Sequence, residues 1–122
     1  MQGFPQRLVR HRDFRRVYNQ GRRHFAAHMT LFYLAREDRA GAGWRVGFTV
    51  SKMLGGAVER NRMKRRLREA VRLSAGQTEF SADVVIHPKR SLAGTEFAGL
   101  RNEIAKAFAA IEKSLAKEKL RR

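Results

Sequence analysis

The chain has 122 residues, a formal net charge of +16 and no cysteine. That length bounds a single domain with a modest core, and 43% hydrophobic residues argue against compositional disorder. Without cysteine, disulfides, thiolate metal sites and Cys nucleophiles are excluded. Lys and Arg number 27 against 11 Asp and Glu, and such self-repulsion opposes compaction unless a polyanion balances it. Nucleic acid is the first choice of polyanion, ahead of an anionic membrane surface. No stretch approaches the ~18 apolar residues of a membrane span, and residues 1–12 lack the apolar core of a secretory signal. A cytoplasmic protein with no membrane partner is expected.

The first element begins near Arg12, where Phe14, Val17 and Tyr18 fall at i, i+3, i+4 and predict a short amphipathic helix. Gly21 stops it. Residues 28–34 predict a strand, with Met29, Leu31 and Tyr33 on one face and Thr30, Phe32 and Leu34 on the other. Residues 36–43 are polar and carry two glycines, a loop. Residues 44–50 form a second strand, Val46, Phe48 and Val50 alternating with Gly47 and Thr49. The two strands are expected to pair as an antiparallel hairpin.

Gly55-Gly56 breaks the pattern, and a basic helix is predicted from about Glu59 to Leu73. Residues 82–87 read as a buried strand ended by Pro88. A turn follows over 88–91, with Thr95 placed to cap the last helix. That helix carries the stripe Phe97, Leu100, Ile104, Phe108, Ile111 and Leu115, and fraying is expected over 117–122. The order α-β-β-α-β-α predicts an α/β (α+β) two-layer sandwich in one domain over residues 1–122.

The middle helix carries the chemistry. Residues 60–72 hold seven cations, Arg60, Arg62, Lys64, Arg65, Arg66, Arg68 and Arg72, opposed only by Glu69. At about 100° per residue, Met63, Leu67, Ala70 and Val71 form an apolar face, and the cations cover most of the rest. Like pairs such as Arg60–Lys64 and Lys64–Arg68 repel. A phosphate backbone relieves that repulsion and releases counterions. Arginine also grips phosphate with two hydrogen bonds and stacks on bases. Asn61 offers a donor and an acceptor to the helix start, a base edge or a 2′-hydroxyl.

Phe14, Tyr18, Phe32, Tyr33, Trp44 and Phe48 precede that helix. Periodicity favours the core for each of them, with stacking on single-stranded bases as the other use. His11, His24, His28 and His87 are scattered, and no metal-ligand spacing, Ser–His–Asp arrangement or phosphate-cradling GxxxxGK[ST] loop occurs. Glu59 and Glu69 lie in or beside the arginine field, where ion pairing is the better reading than acid–base work. No catalytic residue and no metal ligand is assigned.

Arg60-Asn61-Arg62-Met63-Lys64-Arg65-Arg66-Leu67-Arg68-Glu69 resembles the RNR signature of the protein subunit of bacterial ribonuclease P. Val46-Gly47-Phe48-Thr49-Val50-Ser51-Lys52 resembles the family's second strand. His11-Arg12-Asp13-Phe14-Arg15-Arg16-Val17-Tyr18, with Gly21, resembles its first helix. Asp83-Val84-Val85-Ile86 and the helix with Phe97, Leu100 and Ile104 are similar to its later elements. The resemblance implies a left-handed β-α-β crossover around the basic helix, where pattern alone predicts a right-handed one. It also implies a ribonucleoprotein that cuts precursor tRNA to its mature 5′ end. The RNA subunit would perform the hydrolysis with bound Mg²⁺. The protein's partners would be that RNA and the precursor tRNA, with no small-molecule substrate.

Residue by residue, the resemblance assigns RNA contacts to Arg60, Asn61, Arg62, Lys64, Arg65 and Arg68. It assigns the cleft for the single-stranded 5′ leader to Phe14, Tyr18 and Phe32. Lys52 matches the first lysine of the family's Ser-Lys-Lys pattern, and Met53 stands in place of the second. Lys89 and Arg90 fall near a basic turn of the family. Three rivals have different signatures. A structural RNA-binding protein, as in the ribosome, needs no groove for single strands. A DNA-binding module would put the basic helix in a major groove, but no preceding helix completes a helix-turn-helix. A protein-only nuclease would cleave without RNA.

Overall fold

Alternating apolar residues set the faces of the sheet before any helix packs on it. The computed structural model describes residues 5–36 and 43–120. Within them lie β1 (Gln6–Arg7), α1 (His11–Gln20), β2 (Arg22–Phe25), β3 (Met29–Ala35), β4 (Gly43–Phe48), α2 (Ala57–Ser74), β5 (Ser81–Pro88) and α3 (Phe97–Leu120). The expected loop over 36–43 falls mostly on residues 37–42, outside the described residues. On β3, Met29, Leu31 and Tyr33 are buried in the main core, while Phe32 and Leu34 face the other way, toward α1. This is the predicted alternation.

The strand order is β1-β4-β5-β3-β2. The expected hairpin between residues 28–34 and 44–50 does not form. β5 lies between them, antiparallel to β3 from Met29↔Pro88 to Ala35↔Ala82. It runs parallel to β4 from Gly43↔Ser81 to Phe48↔Ile86. The physical reason is burial. Ala82 to Ile86 is buried at every position, and a strand with both faces covered belongs in the centre of a sheet. β2 instead pairs with β3 as the hairpin partner.

α2 and α3 cover one face. Met63, Leu67, Ala70 and Val71 of α2 meet Leu100, Ile104, Ala107, Phe108, Ile111 and Leu115 of α3. The Trp44 and Phe108 rings meet edge to face, centroids 5.0 Å apart. Each large side chain so buried contributes about 1.5–3 kcal/mol. α3 continues to Leu120, through part of the segment where fraying is expected. The Thr95 hydroxyl donates to the Ser91 carbonyl at 3.3 Å. It thus tightens the 3₁₀ turn Arg90–Gly94 and does not cap α3.

α1 lies on the opposite face. Val17 is fully buried with Leu8 and Val85, and Phe14, Tyr18, Phe32 and Leu34 pack around them. The Gly21 amide donates to the Val17 carbonyl and closes the helix. Gly47 lets this helix approach. A Cβ there would sit 2.5 Å from Phe14 Cζ. Gly47→Ala should therefore cost about 1–3 kcal/mol through overpacking, read as a lower urea midpoint, and should push the Phe14 ring aside. An unchanged midpoint would mean that the ring is not seated on β4.

Candidate nucleic-acid interface

β4 ends at Phe48, and the chain turns through a short 3₁₀ segment, Lys52–Leu54, into α2. Gly55 makes that entry with φ of 139°, a conformation that L side chains rarely adopt. Apolar burial of Met63, Leu67, Ala70 and Val71 then fixes the rotation of α2. Asn61, Arg62, Arg65 and Arg68 fall on the outer side and are exposed. Arg60 and Lys64 flank this stripe, half-buried. Arg62, Arg65 and Arg68 recur every three residues, so they form one ridge along the helix.

The guanidiniums of that ridge are not neutralised from within. Among the described residues, no carboxylate pairs with Arg60, Arg62, Lys64, Arg65 or Arg68. Arg60 Nε donates only to the Gly55 carbonyl, at 3.2 Å. Glu69 pairs with Arg72 one turn on, and that partner holds its carboxyl below the usual range. Glu59 has no cationic partner among the described residues; it sits in the first turn of α2, where the helix dipole favours a negative charge.

Arg66 leaves the cationic face that the sequence suggests for it. Its guanidinium turns inward and donates to the carbonyls of Leu92 and Thr95. Arg90 donates to the Met53 carbonyl at 2.7 Å. Arg66 thus ties the turn Arg90–Gly94 to the middle of α2, and Arg90 ties that turn to the Lys52–Leu54 segment that leads into the helix. Lys52 is exposed beside them, and so are Lys89 and Arg90.

The aromatic residues sort onto two faces. Tyr33, Trp44 and Phe48 belong to the main core. Phe14, Tyr18 and Phe32 come together on the α1 face, half-buried. Tyr18 meets Phe32 edge to face at 5.2 Å, and the Arg23 guanidinium lies 5.2 Å from the centre of the Phe32 ring. These rings form an apolar groove with a cation at its edge, the make-up of a base-stacking platform.

His87 and Thr49 join this groove, and neither stands among the predicted site residues. Tyr18 Oη lies 2.7 Å from Thr49 Oγ1 and 2.5 Å from His87 Nε2. Phe32 and His87 rings are 5.0 Å apart. The available signal is position, since Thr49 and His87 are two residues beyond Gly47 and Val85 and so share their face. If Tyr18 donates to Nε2 and accepts from Thr49, all three groups are satisfied.

Burial pushes the His87 pKa down from 6.5 and the Tyr18 pKa up, with the Thr49 hydrogen bond opposing the latter. Neutral His87 therefore adds stability that is present above pH 6.5 and lost as pH falls below it toward the depressed folded value. Unfolding free energy measured against pH should show this acid-side loss, and His87→Gln should flatten it. Identical profiles for both proteins would remove His87 as its source.

At the other end of the strands, Asp83 is fully buried. Arg45 grips it with two hydrogen bonds of 2.7 Å. Arg36 adds one of 2.9 Å and Arg16 one of 3.4 Å. One carboxylate thus ties α1, β4 and the end of β3 to β5.

Comparison with known proteins now bears on these surfaces. A family model described as Ribonuclease P matches residues 4–112. The ribonuclease P protein component of Oleidesulfovibrio alaskensis is 47% identical over 88 residues, 72% of this chain and 70% of the relative. The chain belongs to the ribonuclease P protein family. The protein component of Citrifermentans bemidjiense is 38% identical over 93% of this chain and 96% of its own. The solved ribonuclease P protein of Thermotoga maritima superposes with a TM-score of 0.73 at 23% identity, covering 85% of this chain and 96% of that one. That likeness supports the fold alone. In this chain the outer ridge of α2 and the groove beside α1 are held on one small sheet.

Proposed function

We propose that the chain binds the catalytic RNA of ribonuclease P through α2 and holds the 5′ leader of precursor tRNA in the groove beside α1. The observation that carries this reading is the outward ridge Arg62, Arg65 and Arg68, unpaired with carboxylates among the described residues. Arginines left in water on an already cationic protein repel one another, and a phosphate backbone is their natural complement. Arg60, Asn61 and Lys64 border the ridge, and Lys52 lies at its start. The groove of Phe14, Tyr18 and Phe32 reaches Thr49 and His87 at the ends of β4 and β5, and from β4 the chain runs on to Lys52 and α2. One protein surface can thus position two RNAs, with the gain that comes from fixed orientation.

In this reading the RNA subunit carries out the hydrolysis, and the assembly works in the cytoplasm. Mg²⁺ supplies charge stabilisation and an activated water when the RNA holds it. Among the described residues, Asp83 and Glu69 do not fit such an ion. Asp83 is occupied by three guanidiniums, Glu69 by Arg72, and the α2 surface is cationic. No step is assigned to the metal through this chain.

The leader assignment has a direct test. Phe14→Ala and Phe32→Ala should each weaken holoenzyme binding of precursor tRNA by about 1–3 kcal/mol per stacked base lost. Binding of mature tRNA, which has no leader, should be unaffected. Equal losses for both tRNAs would refute the groove assignment.

A further inference from the structure

α1 has two flanks on the sheet. Phe14 and Tyr18 face the aromatic groove. Asp13 and Arg16 face the other way, toward Arg45 and Asp83. On this second flank lies a pocket of about 630 Å³ lined by Arg10, Arg12, Asp13, Arg15, Arg16 and Arg45 among others. Asp83 to His87 spans four residues of β5, about 13 Å at 3.3 Å per residue. The pocket therefore belongs to the opposite end of the strands from the groove's His87 and from Lys52.

Charge at this pocket is unbalanced. Among the described residues Asp13 is the acidic residue of the lining, and Asp83 lies buried behind Arg16 and Arg45. Arg36, Arg45 and Arg16 share Asp83, and Asp13 lies 3.7 Å from Arg45. Arg10, Arg12 and Arg15 are exposed and have no carboxylate partner among the described residues. Among the described residues, five lining guanidiniums thus share two carboxylates, Asp13 in the lining and the buried Asp83, on which Arg36 also draws. Arg45 and Arg16 are already held in place by Asp83, so their ordering entropy is spent in folding rather than in binding. The first turn of α1 points the same way: Arg10 supplies no side-chain cap, which leaves amide donors and the positive end of the helix dipole beside the arginines.

We propose that this pocket is a second phosphodiester-binding site, taking an RNA backbone phosphate on the flank of α1 away from the aromatic groove. The choice of RNA as the polyanion rests on the function proposed above. The phosphate comes from the catalytic RNA or from the leader beyond the groove, and the two sources are separable by experiment.

The test uses the whole chain carrying Arg12→Gln and Arg15→Gln, two exposed changes that spare the Asp83 cluster. Binding is measured against salt in two arms, to the catalytic RNA alone and, in the holoenzyme, to precursor tRNA with and without a leader. Lys106→Gln with Lys113→Gln on α3 serves as the charge-matched comparison. The pocket variant should lower the salt slope by about 1.5 units, near 0.7–0.9 per phosphate contact, and the α3 variant should not. Loss in the first arm assigns the phosphate to the catalytic RNA; loss only with a leader assigns it to the substrate. An unchanged slope in both arms, or equal loss in the α3 variant, overturns the proposal. Arg62→Gln with Arg65→Gln in the same assay keeps the two readings apart. If that variant loses affinity and the pocket variant does not, only the pocket fails; if neither does, the RNA-binding role itself fails.

Discussion

Asp83→Ala should cost about 3–5 kcal/mol of stability, because it removes the carboxylate that balances the buried Arg36 guanidinium. Arg36 decides the size of the effect. Its side chain is only 5% exposed, and beside the carboxylate it meets the carbonyls of Ala82 and Gly43, which carry no full charge to balance it. Arg45 loses both of its 2.7 Å bonds at once. The melting temperature should fall by roughly 10–20 °C for a domain of this size. Arg16→Ala is the contrast. That side chain is 42% exposed and bonds at 3.4 Å, so its loss should stay under about 1 kcal/mol. Urea unfolding of both variants checks the pair. Similar small losses would mean that Asp83 does not organise the cluster.

The second large effect is on RNA binding rather than folding. Arg62→Ala with Arg65→Ala should leave the unfolding midpoint nearly unchanged, since both side chains are exposed on the outer side of α2. Affinity for the catalytic RNA should fall steeply, and the slope of log affinity against log salt should drop by about one unit per lost phosphate contact. Arg66→Ala should behave in the opposite way. Its guanidinium holds the carbonyls of Leu92 and Thr95, so stability should fall and the slope should change little. The result against this division would be an unchanged slope for the double variant, or a slope change for Arg66→Ala as large as theirs.

The strands and helices that bury a periodic face were legible. Met29, Leu31 and Tyr33 against Phe32 and Leu34, or Met63, Leu67, Ala70 and Val71 within α2, follow from spacing alone. Neighbours in the sheet were not. Alternation reports which way a side chain points, not which strand lies beside it, so β3 and β4 looked like a hairpin. The unbroken burial of Ala82 to Ile86 is what places β5 between them. β1 and β2 carry Gln-Arg and Arg-Arg-His-Phe, with no apolar alternation to mark them.

The same limit governs the candidate site. The outer ridge of α2 is a helical-wheel property, readable from one segment. Arg66 is not, because its partners lie 26 and 29 residues away. His87 and Thr49 are brought to Tyr18 only when β5 and β4 pair, 69 and 31 residues distant in sequence from that tyrosine. Asp83 is one polar residue in an apolar strand, and nothing local announces that three guanidiniums converge on it.

Reconstitution at limiting Mg²⁺ is the most direct measurement. Purified protein, catalytic RNA and precursor tRNA are combined, and 5′ processing is followed for each omission. Cleavage should require the RNA and be strongly stimulated by the protein, with the stimulation lost for Arg62→Ala with Arg65→Ala. Cleavage by the protein alone, or stimulation that survives removal of both arginines, would contradict the role assigned to this helix.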